Sequence, residues 1–348
     1  MDQNFGKPII KLENLTKQYK VLNRHEGLRG GIRDLFSRDY KTVTAVDSIN
    51  LEIARGDIVG FLGPNGAGKS TTIKMMTGVL APTSGKIMVN GYVPYEERSR
   101  NAQNIGVVFG QRSQLWWALP AIESFHILRE IYCIDKKVYK KKLELYTELL
   151  GDDSLFHKPV RQMSLGQRTL CDIFASFLHN PAIVFLDEPT IGLDVTIKLK
   201  IRELIRKLNE VDHTTVVLTT HDMGDIEALC EKIVIIDHGK IIYNDSVEDL
   251  KRIFDKYLNL KVEMTEKTEE QDVEDSINNL LKQKFSAYGN IKISKQGKKL
   301  NILLDSQELN PLEVLKALEE KIQVIDLELK KADLEMVIKK IYEGGVQC

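Results

Sequence analysis

The order of apolar and polar positions along the chain predicts an alternation of strands and helices. Short, nearly continuous apolar runs predict strands at residues 57–62, 105–109, 182–187, 214–220 and 232–237. Between the later runs, apolar positions recur at helical spacing and predict helices at 196–210 and 223–230. Continuous apolar runs are typical of strands that are buried on both faces. The pattern therefore predicts an α/β fold in which helices cover both faces of a parallel sheet.

The segments around this alternation add further elements. Alternating or apolar stretches predict strands at 8–14, 49–54 and 86–92. A glycine-containing turn at 238–239 predicts a hairpin into residues 240–243. The polar stretch 122–180 is rich in helical spacing, and its segment KKVYKKKLELYTELLG predicts a solvated amphipathic helix.

The composition changes near Asp255, and a second domain is expected after it. Predicted strands at 258–264, 290–294, 299–304 and 323–329 interleave with predicted helices at 275–285, 311–321 and 333–342. This βαββαβ-like order predicts a small α+β domain over 255–348. No motif in it carries chemistry, so a structural or regulatory role is expected.

Length and composition agree with a globular protein of two domains. The chain has 348 residues, of which 43% are hydrophobic and 28% charged. Its formal net charge of −1 offers no general attraction to nucleic acid. The start lacks the pattern of a signal peptide, and no stretch approaches the length of apolar residues that spans a bilayer. A membrane role is therefore expected only through a partner.

The cysteines indicate neither a zinc site nor a disulfide framework. They are far apart in the sequence and form no C-x-x-C pair: Cys133, Cys171, Cys230 and Cys348. Reduced and mostly buried thiols are expected.

Residues 63–71, GPNGAGKST, follow the predicted strand 57–62 and predict a phosphate-binding loop. Glycines let the backbone bend tightly, so successive N–H groups can surround an anion, and the next helix presents its positive end. Lys69 is expected to reach the β- and γ-phosphates, and Ser70 to ligate Mg²⁺. A flexible glycine-rich turn is the alternative. The predicted nucleotide-binding residues are Gly63, Pro64, Asn65, Gly66, Ala67, Gly68, Lys69, Ser70 and Thr71.

Polar residues at three other strand ends suit hydrolysis of the bound nucleotide. Asp187 is expected to hold Mg²⁺ through water, and Glu188 to polarise the attacking water. His221 is expected to touch the γ-phosphate, because ligands bind at the carboxyl ends of parallel strands. Gln111 offers an amide oxygen to the metal or the water. The alternatives are an acidic pair at a helix start and a structural histidine.

Together with these residues, SLGQR at 164–168, FLDEP at 185–189 and GLD at 192–194 resemble the motifs of an ABC-type ATPase. The resemblance covers residues 8 to 250 and implies a P-loop NTPase cassette, with a mixed sheet core and a helical subdomain at about 112–180. It also implies ATP and Mg²⁺ as cofactors.

The resemblance assigns further residues to the nucleotide. Ser164, Gly166 and Gln167 match the ABC signature, which covers the γ-phosphate held by a second subunit. Asp194 matches an aspartate that contacts the opposite subunit. Tyr19 matches the aromatic residue that stacks on adenine, with a packed surface tyrosine as the alternative.

Two features depart from the common pattern. Leu165 stands where most signatures have glycine, although relatives of the exporter class also use leucine, so a working trans site is still expected. Residues 20–44 form an insertion in which Leu28, Ile32, Leu35 and Phe36 fall on one helical face beside several arginines. Such a segment suits contact with lipid headgroups or a membrane partner, or packing on its own domain.

The stretch VVFGQRSQLWWALP at 107–120 contains Trp116 and Trp117, where ABC ATPases usually receive their membrane subunit. Two core tryptophans are the alternative. The motifs together resemble the ATPase subunits of ABC-2 type exporters, within them an uncharacterised and viologen-exporter-like subgroup. This implies ABC-2 type permease subunits, a second ATPase subunit, most simply another copy, and a place on the cytoplasmic face of the cell membrane.

Three other functions compete with export. An importer ATPase has a similar cassette, so the exporter-like local sequence decides against it. A soluble ABC ATPase acting on ribosomes or nucleic acid usually has two cassettes or a long coiled coil, neither of which is present here. A nucleotide-gated scaffold without activity is disfavoured by the presence of Glu188 and His221.

Overall fold

The computed structural model describes residues 8–22, 40–110, 112–151, 153–265, 273–285 and 291–332. The chain divides into two compact units, and the division falls between Asp245 and Ser246. The domain boundaries expected from the sequence lay slightly later, at 250 and 255.

The first unit contains nine described strands and seven described α-helices. The strands are β1 (Ile10–Leu22), β2 (Tyr40–Ile53), β3 (Ile58–Leu62), β4 (Ser84–Val89), β5 (Ile105–Phe109), β6 (Ile183–Asp187), β7 (Thr215–Thr220), β8 (Lys232–Asp237) and β9 (Lys240–Ser246). The helices are α1 (Lys69–Met76), α2 (Arg98–Asn104), α3 (Ala121–Ile131), α4 (Lys136–Leu150), α5 (Leu165–Phe177), α6 (Val195–Asp212) and α7 (Met223–Leu229).

The central sheet has six strands in the order β5-β6-β7-β3-β8-β9. The pairs β5–β6, β6–β7, β7–β3 and β3–β8 are parallel. Strands β3 and β7 are buried along their whole length, as the continuous apolar runs predicted. Because β5, β6, β7 and β3 are parallel neighbours, their carboxyl ends lie together at one edge of the sheet.

A second sheet of three antiparallel strands, in the order β2-β1-β4, completes the unit. One apolar cluster joins this sheet, α1 and the central sheet, with Leu12, Ile73 and Phe185 among its members. The sequence pattern predicted a single parallel sheet; the mixed architecture agrees instead with the ABC resemblance.

The structure corrects several boundaries. Strands β1 and β2 extend to Leu22 and from Tyr40, so both ends of the proposed insertion 20–44 are strand. The four residues of its predicted apolar helical face lie outside the described residues. Helix α2 was not predicted, because its sequence RSRNAQN has no apolar periodicity.

The helical part of this unit contains α3, α4, α5 and two short 3₁₀ turns, Ser154–His157 and Val160–Gln162. Aromatic side chains form its core: Phe125, Phe156 and Phe174 are fully buried or nearly so. The Tyr146 hydroxyl donates to the Phe174 carbonyl at 2.9 Å, which joins α4 to α5.

The second unit is an α+β structure. Its described elements are α8 (Val247–Lys256), β10 (Tyr257–Met264), α9 (Val273–Lys284), β11 (Lys292–Gln296), β12 (Lys299–Asp305), α10 (Pro311–Glu319) and β13 (Val324–Lys331). The antiparallel sheet has the order β11-β12-β10-β13, and its core is separate from that of the first unit. From β10 onward the order is the predicted βαββαβ; α8 was not predicted, and the predicted helix 333–342 lies outside the described residues.

The sequence predicted mostly buried, reduced cysteines and no membrane-spanning segment. Cys171 and Cys230 are buried, whereas Cys133 is exposed. Cys348 lies outside the described residues. None of the helices in the described ranges is long and apolar enough to cross a membrane.

Candidate nucleotide-binding site

At two positions of the loop between β3 and α1, only glycine fits. Gly63 has a φ of 153°, and a Cβ added there would lie 2.1 Å from the Ile236 carbonyl oxygen. Gly68 has a φ of 112°, and its Cβ would lie 2.6 Å from the Ala45 carbonyl oxygen. Any larger side chain would therefore displace backbone and change the path of the loop.

The outer part of the same loop faces open space. Pro64, Asn65 and Gly66 are exposed, and nothing lies within 4 Å of a Cβ added to Gly66. The first turn of α1 contains no acidic residue that would compete for its N–H groups. This arrangement suits an anion at the loop and the amino end of α1.

Lys69 lies beneath the loop, with only 5% of the residue exposed. Its Nζ donates to the carbonyl oxygens of Gly63 at 2.6 Å and Pro64 at 3.1 Å. Burial lowers the pKa of Lys69 below its ordinary value, and the charges of Glu188 and Asp187 oppose that shift. The loop thus positions a buried lysine whose charge a phosphate group would stabilise.

Asp187 ends β6 and meets one hydroxyl from helix α1 and one from the neighbouring strand β7. Its Oδ1 accepts hydrogen bonds from the Ser70 hydroxyl at 3.0 Å and from the Thr219 hydroxyl at 2.6 Å. The register explains the meeting, since Asp187 lies between Phe109 of β5 and Thr219 of β7. The sequence predicted Ser70 and Asp187 each as a ligand of Mg²⁺, Asp187 through water, and did not predict the hydrogen bond between them.

Ser70 and Asp187 bring two oxygen ligands to one point, which suits a hard cation such as Mg²⁺. No group of three or more His, Cys, Asp or Glu side chains within the described ranges is arranged to hold a metal. Mg²⁺ usually takes one or two carboxylates and completes its shell with water and phosphate oxygens. Gln111, the third predicted ligand, lies outside the described residues.

Glu188 follows directly and has a φ of 53°, which is uncommon for any residue except glycine. Its N–H is held by the carbonyl and the hydroxyl oxygens of Thr219, at 3.1 and 3.0 Å. Its Oε1 lies 3.5 Å from His221 Nδ1, and the histidine side chain is 56% exposed. The structure therefore joins the two predicted catalytic side chains and leaves the histidine accessible from solvent.

Sequence reasoning missed Thr219, which holds both acidic residues. A buried hydroxyl at the end of an apolar strand was the available signal. It also missed Asp225, which is fully buried and accepts from Thr190, just after Glu188, and from Thr220 and Arg202. This carboxylate links the segment after β6 to the end of β7 and to α6.

The signature residues form the amino end of α5. Ser164 caps the helix: its Oγ accepts from Gln167 N at 3.2 Å, and its own N donates to Gln167 Oε1 at 3.1 Å. Gly166 is buried, and a Cβ there would lie 2.5 Å from the Ile197 side chain. Among the described residues, no hydrogen bond joins Ser164, Gly166 or Gln167 to the phosphate loop of the same chain.

Two further predicted residues have contacts of their own. Asp194 is exposed and caps α6, accepting from Ile197 N at 3.0 Å. Tyr19 lies on β1 opposite Val43, with Lys17 Nζ 5.5 Å from its ring centroid. Their predicted contacts with a second subunit and with adenine stay predictions.

The tryptophans are surface residues and not core residues. Trp116 is 39% exposed and Trp117 is 55% exposed. The Arg168 guanidinium lies 4.5 Å from the Trp117 ring centroid.

The fold and this site define a P-loop nucleotide-binding protein. Comparison with known proteins narrows the class: residues 46–191 match the family described as ABC transporter. NatA, an ABC transporter ATP-binding protein of Bacillus subtilis, is 33% identical over 215 residues, which cover 62% of this chain and 87% of NatA. The linearmycin resistance ATP-binding protein LnrL of the same species is 36% identical over 211 residues, 61% of this chain and 67% of LnrL.

A solved structure gives the same answer. The ATP-binding cassette MJ0796, in a dimeric post-hydrolysis state bound to ADP and Pi, matches with a TM-score of 0.56 and 27% identity. The match covers 68% of this chain and 98% of that one. The chain belongs to the family of ABC transporter ATP-binding proteins. It is an ATP-hydrolysing cassette, and such subunits dimerise and work with transmembrane permease subunits.

Proposed function

We propose that this chain is the ATPase subunit of an ABC-2 type export complex and acts on the cytoplasmic face of the cell membrane. The observation that carries the catalytic part is the junction of Glu188 with His221, 3.5 Å apart, beside the Ser70–Asp187 pair. A water activator, a γ-phosphate contact and two metal ligands then lie at the same edge of the central sheet.

The substrate is ATP, bound with Mg²⁺. Lys69 and the N–H groups of residues 63–71 hold the phosphates, and Tyr19 stacks on adenine. Ser70 and Asp187 hold Mg²⁺, with Gln111 as a further ligand. When bound, the ion neutralises charge on the phosphate oxygens.

Glu188 orients the attacking water and accepts its proton as the water approaches the γ-phosphate. His221 donates a hydrogen bond to that phosphate. The left-handed backbone of Glu188, fixed by Thr219, supports this role, because strained conformations cluster where geometry serves function.

The partner ATPase is a second copy of the chain. Ser164 and Leu165 are exposed at the amino end of α5, and Val195, next to Asp194, is 73% exposed. These surfaces suit a sandwich in which the signature of each copy covers the ATP of the other. Hydrolysis removes the γ-phosphate that joins the two copies, and the dimer reopens.

Three observations support export through ABC-2 type permease subunits. The motifs of the chain resemble those of the exporter class, and LnrL is named for linearmycin resistance. Trp116 and Trp117 are exposed where the resemblance implies a membrane subunit, and aromatic side chains are good interface anchors.

The first test is Glu188→Gln. This variant should bind ATP and form a stable dimer, because its amide fits the same space, while steady-state hydrolysis falls by about a thousandfold since no base activates water. Light scattering measures the dimer and phosphate release measures turnover. Glu210→Gln, an exposed acid on α6 whose side chain is 53% exposed, is the matched control. Hydrolysis by Glu188→Gln at the parental rate would disprove the assignment of the base.

The second test addresses the partner. Affinity purification of the Glu188→Gln chain from solubilised membranes, with Mg·ATP present, should recover polytopic membrane proteins of the ABC-2 permease class. Recovery of ribosomes or nucleic acid, with no chain in the membrane fraction, would favour the soluble ATPase instead. Recovery of an importer permease would contradict the proposed direction of transport and leave the ATPase assignment unchanged.

A further inference from the structure

Helix α5 holds the segment before the tryptophans through one buried carboxylate. Asp172 is only 5% exposed, and its Oδ1 accepts from Ser113 Oγ and from Gln114 N, each at 3.0 Å. The Gln114 side chain donates back to the Asp172 carbonyl oxygen at 3.0 Å. Residues 113–114 are therefore fastened to the middle of α5 by three hydrogen bonds.

The tryptophans that follow are held by the same helix and by two other segments. One turn before Asp172, Arg168 lies over the Trp117 ring. Trp116 N donates to Ser124 Oγ of α3 at 3.0 Å, and the Trp117 carbonyl oxygen accepts from Arg161 N at 3.0 Å. Both indole rings are thus presented at the surface by a frame of which α5 is one side.

The other end of α5 is the signature. Ser164 and Asp172 are eight residues apart on a continuous helix, so their separation along its axis is about 12 Å and changes little. A displacement of the signature end is consequently transmitted to Asp172, and through its hydrogen bonds to residues 113–117.

We infer that Asp172 is a positioning residue that couples the signature to the exposed Trp116–Trp117 pair, so that closure of the ATP sandwich moves the surface offered to the permease. The inference rests on the proposed function, in which the signature of one copy covers ATP bound by the other. A carboxylate at this place is costly unless it is fully hydrogen-bonded, and an apolar residue would serve packing alone better.

The chain supplies its own probe. Trp116 and Trp117 are its only tryptophans, so the emission of the intact chain reports on this segment alone. The measurement uses the Glu188→Gln chain, with Mg·ATP to close the dimer and Mg·ADP as the nucleotide that occupies the loop without closing it. Light scattering on the same samples measures dimer formation separately.

In the Asp172→Ala chain, the emission change caused by Mg·ATP should fall about threefold or more at equal dimer formation, the size expected when a coupling residue is lost. Asp172→Asn keeps the accepting oxygen and should retain most of the response. Glu148→Gln changes an exposed acid of α4 in the same helical part and should leave the response unchanged. Ser113→Ala removes one of the three hydrogen bonds, together with the one that Ser113 Oγ accepts from Leu115 N at 3.2 Å, and should reduce the response about twofold.

The outcomes separate the inference from the function beneath it. If Mg·ATP gives no dimer in the Glu188→Gln chain, the sandwich fails. If the dimer forms but the emission does not change with Mg·ATP, the coupling through Asp172 is overturned while the sandwich stands. The same holds if Asp172→Ala and Ser113→Ala each respond to Mg·ATP as strongly as the parent Glu188→Gln chain. Should Asp172→Ala not fold, the Ser113→Ala response decides by the same criterion.

Discussion

Thr219 is a single buried hydroxyl on which both acidic residues of the site depend. It donates to Asp187 at 2.6 Å and accepts from Glu188 N at 3.0 Å, so it holds the proposed metal ligand and the backbone of the proposed base together. We expect this hydroxyl to act on the proposed reaction by positioning those two residues.

Thr219→Val keeps the shape of the side chain and removes the hydroxyl. Loss of a buried hydrogen-bond partner costs about 1–3 kcal/mol, and if this loss falls on the catalytic geometry, kcat should drop about 10- to 100-fold. Phosphate release at saturating ATP measures kcat, and equilibrium binding of ATP to the same variant should change much less.

Thr214→Val is the matched control, because Thr214 is also buried and donates to the Pro181 carbonyl oxygen at 2.9 Å, at the opposite end of β7. It should lose about 1 kcal/mol of stability and keep kcat within about twofold. Equal losses of kcat in the two variants would mean that Thr219 acts on stability alone.

The site residues were readable from sequence to different degrees. Ser70 was predicted from the glycine-rich motif, and Asp187, Glu188 and His221 from their places at the ends of apolar runs, because parallel strands end at one edge. Thr219 and Asp225 were not, because their partners lie 31 to 35 residues away or on another element. Pairings at such separation are set by register and leave no local pattern.

At the scale of elements, the buried strands were predicted best. The bounds of β5 and β8 were predicted to the residue, because a strand buried on both faces is an uninterrupted apolar run with polar residues at its ends. The outer halves of β1 and β2 were missed: they pair with each other across Tyr19 and Val43, and their side chains are largely exposed, so no apolar alternation marks them.

Asp172 in helix α5 and His179, two residues beyond the end of that helix, are a buried and a partly buried titratable group with opposite effects on stability. Burial, with a smaller contribution from the Lys142 charge, lowers the pKa of His179 to about 4, against the hydrogen bond to the Ile105 carbonyl, which raises it. Burial raises the pKa of Asp172 to about 6, against the Arg168 charge and its hydrogen bonds, which lower it.

The histidine should make the free energy of unfolding fall in mild acid. Between pH 6.5 and 4 the unfolded chain protonates this ring and the folded chain does not, so folding loses up to about 3 kcal/mol as pH falls through that window. His179→Gln, which can still donate to the Ile105 carbonyl, should remove this loss. Urea unfolding at a series of pH values measures it.

Asp172 works in the other direction, since the folded chain binds the additional proton below about pH 6 and gains stability as pH falls toward 4. In the Asp172→Asn variant, which lacks this gain, the free energy of unfolding should therefore fall more steeply with decreasing pH than in the parent. Parallel pH profiles for the parent and both variants would contradict the two shifts.

At the scale of the whole molecule, the two units have separate apolar cores. We expect calorimetry to resolve two unfolding transitions. ATP bound to the Glu188→Gln chain should raise the free energy of unfolding of the first unit alone, by about 2.7 kcal/mol at a hundredfold excess of ATP over Kd.

Lys69→Ala is the control, because it should keep both transitions and lose the shift. A single transition that moves as a whole with ATP would instead show that the units unfold together. The sequence predicted two regions from composition, but its boundary lay later than Asp245, because α8 had not been recognised as an element of the second unit.

The capping box of α5 gives the Gln167 amide two possible uses. In the open chain it completes the cap, and Lys158 also donates to its oxygen at 3.2 Å. If Gln167 turns to a phosphate of the opposite copy, the helix loses a cap that contributes about 1 kcal/mol. Only a hydrogen bond to a correctly placed γ-phosphate offsets that loss. Closure on ADP would lose the cap and gain no contact with a γ-phosphate. The cap would therefore favour dimer formation on ATP over dimer formation on ADP.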